Sequence, residues 1–203
     1  MKIICFGRNY SDHAREMNSE LPLDPIFFLK PDTAQLKEGS DIYLPNISKE
    51  IHFECELVVK IKKAGKFIQT KFAKNYYSEI TLGLDLTARD LQIKCKKKGL
   101  PWEIAKAFDN SAPISDKWLN VSDINLSEIN FQFFQNGELK QNGFTKDMIF
   151  TIDELISYVS QFITLKTGDL LYTGTPAGVG EIHIGDKLEG VINGKKIFEF
   201  SVK

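Results

Sequence analysis

The clearest periodicity in the chain lies in the run His52-Phe53-Glu54-Cys55-Glu56-Leu57-Val58-Val59-Lys60-Ile61-Lys62. Every odd position from 53 to 61 is apolar, whereas Glu54, Glu56 and Lys60 occupy even positions. Successive side chains of a strand point to opposite faces, so this period of two predicts a strand with one buried face. The same alternation places Glu54 and Glu56 together on the other face.

Two carboxylates on one face of a strand have two interpretations. Like charges at this spacing raise each other's pKa unless a cation lies between them. Glu54 and Glu56 therefore suit a metal ion, which would need a third ligand. Alternatively, this face of the strand is simply exposed to water, because charged residues are mostly exposed.

Strand signals continue on both sides of this run. Asn136-Gly137 and Asn193-Gly194 each separate two strand-like runs and favour type I′ hairpin turns. Further strands are predicted at residues 2–6, 26–29, 41–44, 80–86 and 169–172. The clearest helix is predicted at 152–162, where apolar residues recur on one face. Weaker signals predict three more helices. One lies near 71–78, one begins at a cap at Ser11 or Asp12, and one begins at a Thr87 cap supported by Asp90. These signals predict one strand-rich α+β domain over residues 1–203, with a few short helices.

The composition excludes several classes of function. The 203 residues contain 26 Lys and Arg against 27 Asp and Glu, a formal net charge of −1. Proteins that bind nucleic acid through bulk charge concentrate Lys and Arg instead. No run approaches the ~20 apolar residues of a membrane helix, and the apolar start is too short for a signal peptide. We therefore expect a cytoplasmic small-molecule binder or enzyme, with no nucleic-acid or membrane partner.

The residue types that bind soft metals are few and scattered. The chain has three cysteines and three histidines, with no CxxC pair and no Cys/His cluster. A disulfide framework or a structural zinc site is hard to build from such a set. Any bound metal is therefore expected to have carboxylate ligands, which suit a hard cation such as Mg²⁺ or Mn²⁺.

Asp85 is a third acidic residue in an unusual setting. It follows Gly83-Leu84 inside an apolar strand, so it lies near a strand end or is buried with a partner, because a lone buried carboxylate is costly. Arg89 and Gln92 are three residues apart on the following predicted helix and share a face that could look over the same site. An ordinary salt-bridged helix start would explain the same residues.

His13, Glu16 and Lys106 are candidates for proton transfer and charge stabilisation. His13 and Glu16 are spaced i and i+3 on a short helix, which lets the carboxylate orient the imidazole as a general base. A surface pair of this kind is the alternative. Lys106 lies in an apolar neighbourhood, where its ammonium group needs an anion such as a substrate carboxylate or a developing enolate.

A glycine-rich loop follows the strand predicted at 169–172. Its sequence is Thr173-Gly174-Thr175-Pro176-Ala177-Gly178-Val179-Gly180. The backbone N–H groups and the Thr175 hydroxyl of such a tight loop can contact a carboxylate or carbonyl oxygen. The loop lacks the Gly-Lys-Ser/Thr ending of a phosphate-binding Walker A loop. Alternatively, it only turns a corner between two strands.

In their order along the chain, these motifs resemble the fumarylacetoacetate hydrolase family. They are most similar to its short acylpyruvate hydrolases with associated oxaloacetate decarboxylase activity. The matching segments are residues 7–16 (GRNYSDHARE), 28–31 (FLKP), 54–57 (ECEL), 84–92 (LDLTARDLQ), 97–102 (KKGLPW) with Lys106, and 174–180 (GTPAGVG). The resemblance implies a mixed β-sandwich roll that assembles as a homodimer.

The resemblance also implies a role for each candidate residue. The ligands of Mg²⁺ or Mn²⁺ would be Glu54, Glu56 and Asp85. The catalytic residues would be His13, Glu16 and Lys106. The residues at the substrate site would be Arg89, Gln92, Thr175 and Lys30. The substrate would be a small 2-oxo acid. Water activated by His13 would cleave a carbon–carbon bond of an acylpyruvate, and oxaloacetate decarboxylation would share the same metal-stabilised pyruvate enolate.

Two rival functions and one expectation about motion remain. The first rival is an isomerase or decarboxylase of hydroxylated dienedioates, although residues 107–113 differ from the sequence that those relatives tend to carry. The second is a dicarboxylate- or metal-binding module without catalysis, which would need only the carboxylates and not His13, Glu16 and Lys106. We also expect the polar connection at 18–24 to close over bound substrate.

Overall fold

Strands dominate the structure, a computed structural model that describes residues 1–17 and 20–203. In chain order the described strands are β1 (Ile3–Gly7), β2 (Ile26–Lys30), β3 (Gln35–Lys37), β4 (Ile51–Phe53), β5 (Cys55–Ile61), β6 (Tyr77–Leu84), β7 (Thr87–Ala88), β8 (Ala112–Ile114), β9 (Leu119–Asn120), β10 (Asn130–Gln135), β11 (Glu138–Phe144), β12 (Leu170–Tyr172), β13 (Gly180–Glu181), β14 (Lys187–Ile192) and β15 (Lys195–Ser201). The described α-helices are α1 (Ser11–Glu16), α2 (Arg89–Lys98), α3 (Glu103–Lys106) and α4 (Ile152–Phe162). The strand-rich α+β class is confirmed.

The glutamate-bearing strand β5 lies inside the largest sheet, whose order is β2-β1-β12-β5-β6-β8-β3, with β9 beside β6. β1 runs parallel to β12, and β3 runs parallel to β8, whereas β5 is antiparallel to both of its neighbours. This sheet is therefore mixed. An interior strand has no free edge, so β5 is a rigid support for side chains that must be held in place.

Both predicted Asn-Gly hairpins are confirmed in a second sheet, of order β11-β10-β14-β15. The φ values are 54° and 79° at Asn136 and Gly137, and 47° and 78° at Asn193 and Gly194. A type I′ turn needs positive φ at both central residues, which Asn and Gly tolerate best. A third sheet has the order β13-β4-β7.

The main apolar core lies between the large sheet and the second sheet. Leu57 and Leu82 of the large sheet and Phe131 of β10 are fully buried in it. Phe53 of β4 joins the second sheet through Phe133, with ring centroids 4.4 Å apart. The predicted helix α4 covers this core with its apolar face and begins at a capping box. None of the described helices is long and apolar enough to cross a membrane.

The predicted continuous strand at 52–62 is instead two strands that belong to different sheets. Glu54 separates β4, which pairs with β7 and β13, from β5, which pairs with β6 and β12. At this junction the Cys55 N–H donates to the side-chain Oε1 of Gln141 at 2.9 Å rather than to a neighbouring strand. The exposed-face alternative is wrong, because Glu54 and Glu56 are both buried.

Two smaller predictions also differ from the structure. Residues 41–44 form no strand but a single bridge, Ile42 to Val202, because this segment meets only the end of the last strand. The helix predicted near 71–78 is a 3-10 helix over Thr70–Tyr76 that leads directly into β6.

The predicted helix caps are also wrong. Tyr10 and Ala88 occupy the N-cap positions of α1 and α2, and neither makes a side-chain cap hydrogen bond. Thr87 belongs to β7, where its hydroxyl donates to the Asp85 carbonyl oxygen. Asp90 accepts hydrogen bonds from the Ser48 hydroxyl and the Leu91 N–H. The hydroxyl of Thr87 and the carboxylate of Asp90 therefore form other hydrogen bonds in place of the predicted cap.

Candidate metal centre and active site

Three buried carboxylates meet where β5 begins and β6 ends. The register pairs Glu56 with Gly83 and Cys55 with Leu84, and the Asp85 N–H donates to the Glu54 carbonyl oxygen at 2.8 Å. One carboxylate oxygen each from Glu54, Glu56 and Asp85 lies within 4.8 Å of the others. Within the part of the chain that the structure describes, this is the one group of acidic, histidine and cysteine side chains arranged closely enough to bind a metal.

Glu54 is surrounded by cations. Its Oε1 accepts from Arg89 Nη2 at 2.6 Å, and its Oε2 accepts from Lys106 Nζ at 2.8 Å. Burial alone would raise the pKa of Glu54, but the charges of Lys106 and Arg89 hold it well below its usual value. Burial would likewise lower the pKa of Lys106, but Asp85 and Glu54 raise it above its usual value. Both groups are therefore charged at neutral pH.

Glu56 has a different environment from Glu54. It forms no salt bridge among the described residues and accepts a backbone hydrogen bond from the Gly174 N–H at 2.7 Å. Its pKa is raised well above the usual value by burial and by the charges of Asp85 and Glu54. Glu56 is therefore the carboxylate whose negative charge is least compensated.

The unsatisfied oxygens of this cluster fit a divalent cation. Asp85 Oδ1 is buried and receives no well-directed hydrogen bond from the described residues, although Lys30 Nζ lies 2.8 Å away. Together with the uncompensated Glu56, this leaves carboxylate oxygens from two strand ends that converge on one point. Buried charges are stable only when they are paired or bind a metal. An all-oxygen donor set of this kind suits Mg²⁺ or Mn²⁺.

The structure brings His13 and Glu16 together beside the carboxylates. His13 Nδ1 lies 3.0 Å from Glu16 Oε2, and the His13 side chain is buried. The other carboxylate oxygen of Glu16 accepts from the Gly178 N–H at 3.0 Å. Glu16 is thereby fixed between helix α1 and the glycine-rich loop, and it can fix the orientation of the imidazole in turn.

The glycine-rich loop is tied to the metal-ligand strand by Gln141, which the sequence analysis did not single out. Gln141 Nε2 donates to Thr175 Oγ1 and to the Pro176 carbonyl oxygen, each at 2.8 Å, while its Oε1 accepts from the Cys55 N–H. The Thr175 hydroxyl donates to the Cys55 carbonyl oxygen at 2.8 Å. Cys55 lies between the two glutamates, so these contacts set their positions. A buried amide in this network leaves no periodic signal in the sequence.

Gly178 shows why this loop needs glycine. Its φ is +98°, and a Cβ atom built there would lie 2.0 Å from the carbonyl oxygen of Lys140. No other residue therefore fits between the loop and β11. This close approach also brings the Gly178 N–H to Glu16.

Arg89 and Gln92 share a face of α2, as predicted. Arg89 Nη1 donates to Gln92 Oε1 at 2.5 Å, and both side chains are buried. Arg89 Nε lies 3.4 Å from His52 Nδ1, and burial together with the Arg89 charge lowers the pKa of His52. His52 is therefore a neutral acceptor behind Arg89, a role that the sequence did not suggest.

Several of these side chains surround a small cavity of about 30 Å³. Its lining is formed by Phe6, Gly7, Arg8, His13, Met17, Phe28, Glu54, Glu56, Arg89, Gln92, Lys96, Trp102, Lys106 and Thr175. Wider grooves of about 520 and 540 Å³ occur elsewhere, but none of the three clustered carboxylates lines them. We locate the site by its chemistry rather than by cavity size.

Lys30 is the candidate that the structure places differently. It is not among the residues that line the cavity, and its Nζ contacts Asp85 Oδ1 and donates to the Ser111 carbonyl oxygen at 2.8 Å. Lys30 therefore supports a carboxylate from behind. Asn18 and Ser19, the first residues of the connection at 18–24, lie outside the described residues. Closure of this connection over substrate stays a prediction.

The chain is similar to known proteins over almost its whole length. Residues 2–202 match the family model described as fumarylacetoacetate (FAA) hydrolase, C-terminal. The chain is 45% identical over 201 residues to mitochondrial oxaloacetate tautomerase FAHD1 of Mus musculus, a match that covers 99% of this chain and 91% of that protein.

Solved structures are similar over the same length. The fold matches fumarylpyruvate hydrolase from Pseudomonas aeruginosa in complex with Mn²⁺ and pyruvate, with a TM-score of 0.93, 36% identity and coverage of 100% of this chain and 89% of that one. It also matches 2-hydroxyhepta-2,4-diene-1,7-dioate isomerase from Mycobacterium marinum, with a TM-score of 0.85, 34% identity and coverage of 99% and 73%. The chain thus belongs to the fumarylacetoacetate hydrolase family.

Proposed function

We propose that this protein is a divalent-metal-dependent enzyme that hydrolyses a carbon–carbon bond of acylpyruvate-type 2,4-dioxo acids and also decarboxylates oxaloacetate. One observation carries the proposal: His13, which contacts Glu16, lines the same cavity as Glu54, Glu56 and Lys106. A binding module would need the carboxylates, but it would need neither a general base nor a second buried ammonium group.

Glu54, Glu56 and Asp85 would hold Mg²⁺ or Mn²⁺. When bound, the ion would bind the 2-oxo acid and stabilise negative charge on its keto oxygen. The similarity to a hydrolase solved with Mn²⁺ and pyruvate supports this assignment.

His13 is the proposed general base. With Nδ1–H donating to Glu16, the other ring nitrogen, Nε2, carries the lone pair that accepts a proton from water. The water oxygen adds to the distal carbonyl carbon, and the carbon–carbon bond then breaks. The bonding electron pair passes to the pyruvate fragment, which takes up a proton to give pyruvate and a carboxylic acid.

Lys106 is the proposed cation beside the pyruvate fragment. Its charge is maintained by Glu54 and Asp85, at 2.8 and 2.7 Å, so a fixed ammonium group faces the developing negative charge. Such preorganised charge stabilises a transition state without reorganisation. Oxaloacetate decarboxylation needs the same stabilisation and no water.

A second candidate function is oxaloacetate tautomerisation. The name of the mouse relative favours it, and the site offers one base, His13, for moving a proton between carbon and oxygen. An isomerase acting on hydroxylated dienedioates is the remaining enzymatic alternative, in view of the Mycobacterium marinum structure.

A substrate panel tests the proposal. Acetylpyruvate, fumarylpyruvate, oxaloacetate and a hydroxylated dienedioate are assayed with Mg²⁺, with Mn²⁺ and with chelator. We expect metal-dependent acylpyruvate cleavage that falls about 10²-fold or more in His13→Gln and is unchanged in His183→Gln, which alters an exposed histidine. Turnover of the dienedioate alone, or enol–keto conversion of oxaloacetate alone, would contradict the hydrolase assignment.

We also propose a cytoplasmic homodimer, on the basis of the family resemblance. Light scattering should give twice the mass of one chain, and a monomer at micromolar concentration would contradict it. The mouse relative is named as mitochondrial, so fractionation of the source cells distinguishes the two locations.

A further inference from the structure

The turn between β1 and α1 contains a buried side chain that the proposed reaction does not use. Asn9 is 1% exposed and is not among the residues that line the cavity. It lies four residues before His13, and α1 begins at Ser11. A buried polar side chain is stable only when it is hydrogen-bonded. The partners of Asn9 therefore show which segments hold this turn in place.

The Asn9 side chain joins two segments that lie 141 and 164 residues further along the chain. Its Nδ2 donates to the Phe150 carbonyl oxygen at 3.0 Å and to the Thr173 carbonyl oxygen at 2.8 Å. Its Oδ1 accepts from the Phe150 N–H at 2.8 Å, and its backbone carbonyl oxygen accepts from the Ile149 N–H at 2.8 Å. Two donors and one acceptor of the amide are thus in use. A carboxylate has no donor when ionised and a hydroxyl has one, so neither replaces the amide.

Thr173 is the first residue of the glycine-rich loop, so Asn9 attaches the start of α1 to that loop. A Cβ atom built on Gly174 would lie 2.7 Å from the Asn9 Cβ, so the turn and the loop are in direct contact. At the other end of α1, Glu16 accepts from the Gly178 N–H of the same loop. The helix that carries the proposed general base is therefore held against one loop at both of its ends.

The start of the loop has a second attachment that does not involve Asn9. The Thr173 N–H and the Thr173 hydroxyl both donate to the Leu57 carbonyl oxygen of β5, at 3.1 and 2.9 Å. Without the Asn9 amide, the loop should thus remain anchored to the strand that bears Glu56, whereas α1 loses its attachment. The effect should fall on the general base rather than on the metal ligands.

We propose that Asn9 is a positioning residue that holds α1 against the glycine-rich loop, so that His13 is placed for the attack of water on the substrate. This inference rests on the proposed function, because hydrolysis needs water that His13 activates and decarboxylation does not. Asn9 touches no reacting atom and acts through α1. Misplacing a reacting group by about 1 Å can lower a rate about 10²-fold. Asn9 therefore controls the rate of hydrolysis relative to that of decarboxylation.

The test compares the two reactions at saturating Mn²⁺. We expect Asn9→Ala to lower acylpyruvate cleavage about 10²-fold and oxaloacetate decarboxylation less than about tenfold. Asn9→Ser should recover part of the lost cleavage, because its hydroxyl can replace one of the hydrogen bonds. Thr151→Val is the matched control, because Thr151 directly follows Phe150 and its side chain forms the capping box of α4 with Glu154. The control should lower the melting temperature and leave the ratio of the two rates unchanged.

A double variant shows whether Asn9 and Glu16 act on the same helix. Both residues hold α1 against the loop, so Asn9→Ala/Glu16→Gln should cleave acylpyruvate at most about threefold more slowly than Glu16→Gln alone. Independent effects would multiply instead. Multiplied effects, parallel losses in both reactions, the same change of rate ratio in Thr151→Val, or failure of both Asn9 variants to fold would overturn the inference.

Hydrogen exchange separates this inference from the proposed function. In Asn9→Ala the Gly178 N–H, which donates to Glu16, should exchange at least about tenfold faster, while exchange of the Thr173 N–H changes less than about twofold. If wild type cleaves no acylpyruvate and exchange changes in this pattern, the hydrolase assignment fails and the attachment of α1 by Asn9 stands. If acylpyruvate is cleaved and both amides exchange faster by the same factor, the hydrolase assignment stands and the positioning role is wrong.

Discussion

At the residue scale, neighbouring groups give chemically identical side chains different properties. Glu54 and Glu56 are two residues apart and both buried. Arg89 and Lys106 keep Glu54 ionised, whereas Glu56 pairs with no cation among the described residues, accepts a backbone N–H and has a raised pKa. Glu56 is therefore the carboxylate whose negative charge a bound metal would compensate most.

Replacing Glu56 should separate metal binding from folding. Glu56→Gln keeps the side-chain shape, so we expect calorimetry to show at least a tenfold loss of Mg²⁺ or Mn²⁺ affinity, with loss of metal-dependent turnover. The metal-free variant should melt no lower than wild type, because a neutral amide replaces a buried, unpaired carboxylate. Glu79→Gln, on the exposed end of β6, is the control. Wild-type metal affinity in Glu56→Gln would remove it from the ligand set.

Glu16 should affect hydrolysis more than decarboxylation. Glu16→Gln weakens its hold on His13 Nδ1, so acylpyruvate cleavage is expected to fall about 10²-fold. Oxaloacetate decarboxylation needs no activated water and should fall less than about tenfold by the same reasoning. Asp12→Asn, on the exposed side of α1, should change neither rate. Parallel losses in both reactions would show that Glu16 supports the site as a whole rather than water activation.

At the scale of elements, sequence predicts structure where the signal is local. The Asn-Gly turns and helix α4 are confirmed, because turn chemistry and apolar periodicity act over a few residues. The break at Glu54 was not predictable in this way, since it arises where β4 and β5 pair in different sheets. Thr87 failed as a cap because Lys106 Nζ, 2.6 Å away, competes for its hydroxyl.

Gln141 connects the β10–β11 hairpin to the site, so replacing Gln141 should lower the metal affinity. Gln141→Met leaves the Cys55 N–H and the Pro176 carbonyl oxygen without partners, which we expect to lower the free energy of unfolding by about 1–3 kcal/mol. Metal affinity should fall about tenfold, since residues behind metal ligands have effects of this size.

The matched control for Gln141 is at the far end of the same hairpin. Gln135 donates to the Glu181 carbonyl oxygen and to Asp186 Oδ2. Gln135→Met should therefore lower stability without changing metal affinity, as measured by calorimetry. Equal effects of the two substitutions on metal affinity would mean that Gln141 acts only through general stability.

Asp186 should make the second sheet sensitive to acid. Burial alone would raise its pKa, but hydrogen bonds from the Asn136 side chain, the His183 N–H and the Gln135 side chain hold the pKa below that of an ordinary aspartate. A depressed folded-state pKa stabilises the fold above the unfolded pKa and stops doing so as pH falls through the folded value. Urea unfolding should show that wild type loses its advantage over Asp186→Asn below about pH 4. A constant difference from pH 6 to 3 would contradict this linkage.

At the scale of the whole molecule, the site joins segments that are far apart in sequence. Glu56 meets Gly174 across 118 residues, and Glu16 meets Gly178 across 162. Motif order was enough to predict which of these residues belong together, through the family resemblance. Gln141 was not predicted as a site residue, because its role depends on a hydrogen-bond network that only the folded chain creates.

A metal bound at this junction should therefore stabilise the entire fold. Saturation at 100 times Kd stabilises the native state by about 2.7 kcal/mol if the unfolded chain does not bind, which for this size is a rise of roughly 5–10 °C in melting temperature. Calorimetric melting with Mn²⁺ or with chelator measures this rise in melting temperature, and Glu56→Gln should show no rise.

Hydrogen exchange measures the effect of the metal at single amides. The N–H groups of Cys55, Gly174 and Gly178 contact the network around the carboxylates. We expect these three amides to slow more on metal addition than those of the Asn193-Gly194 hairpin. Uniform slowing everywhere, with the same rise in Glu56→Gln, would place the metal at another site.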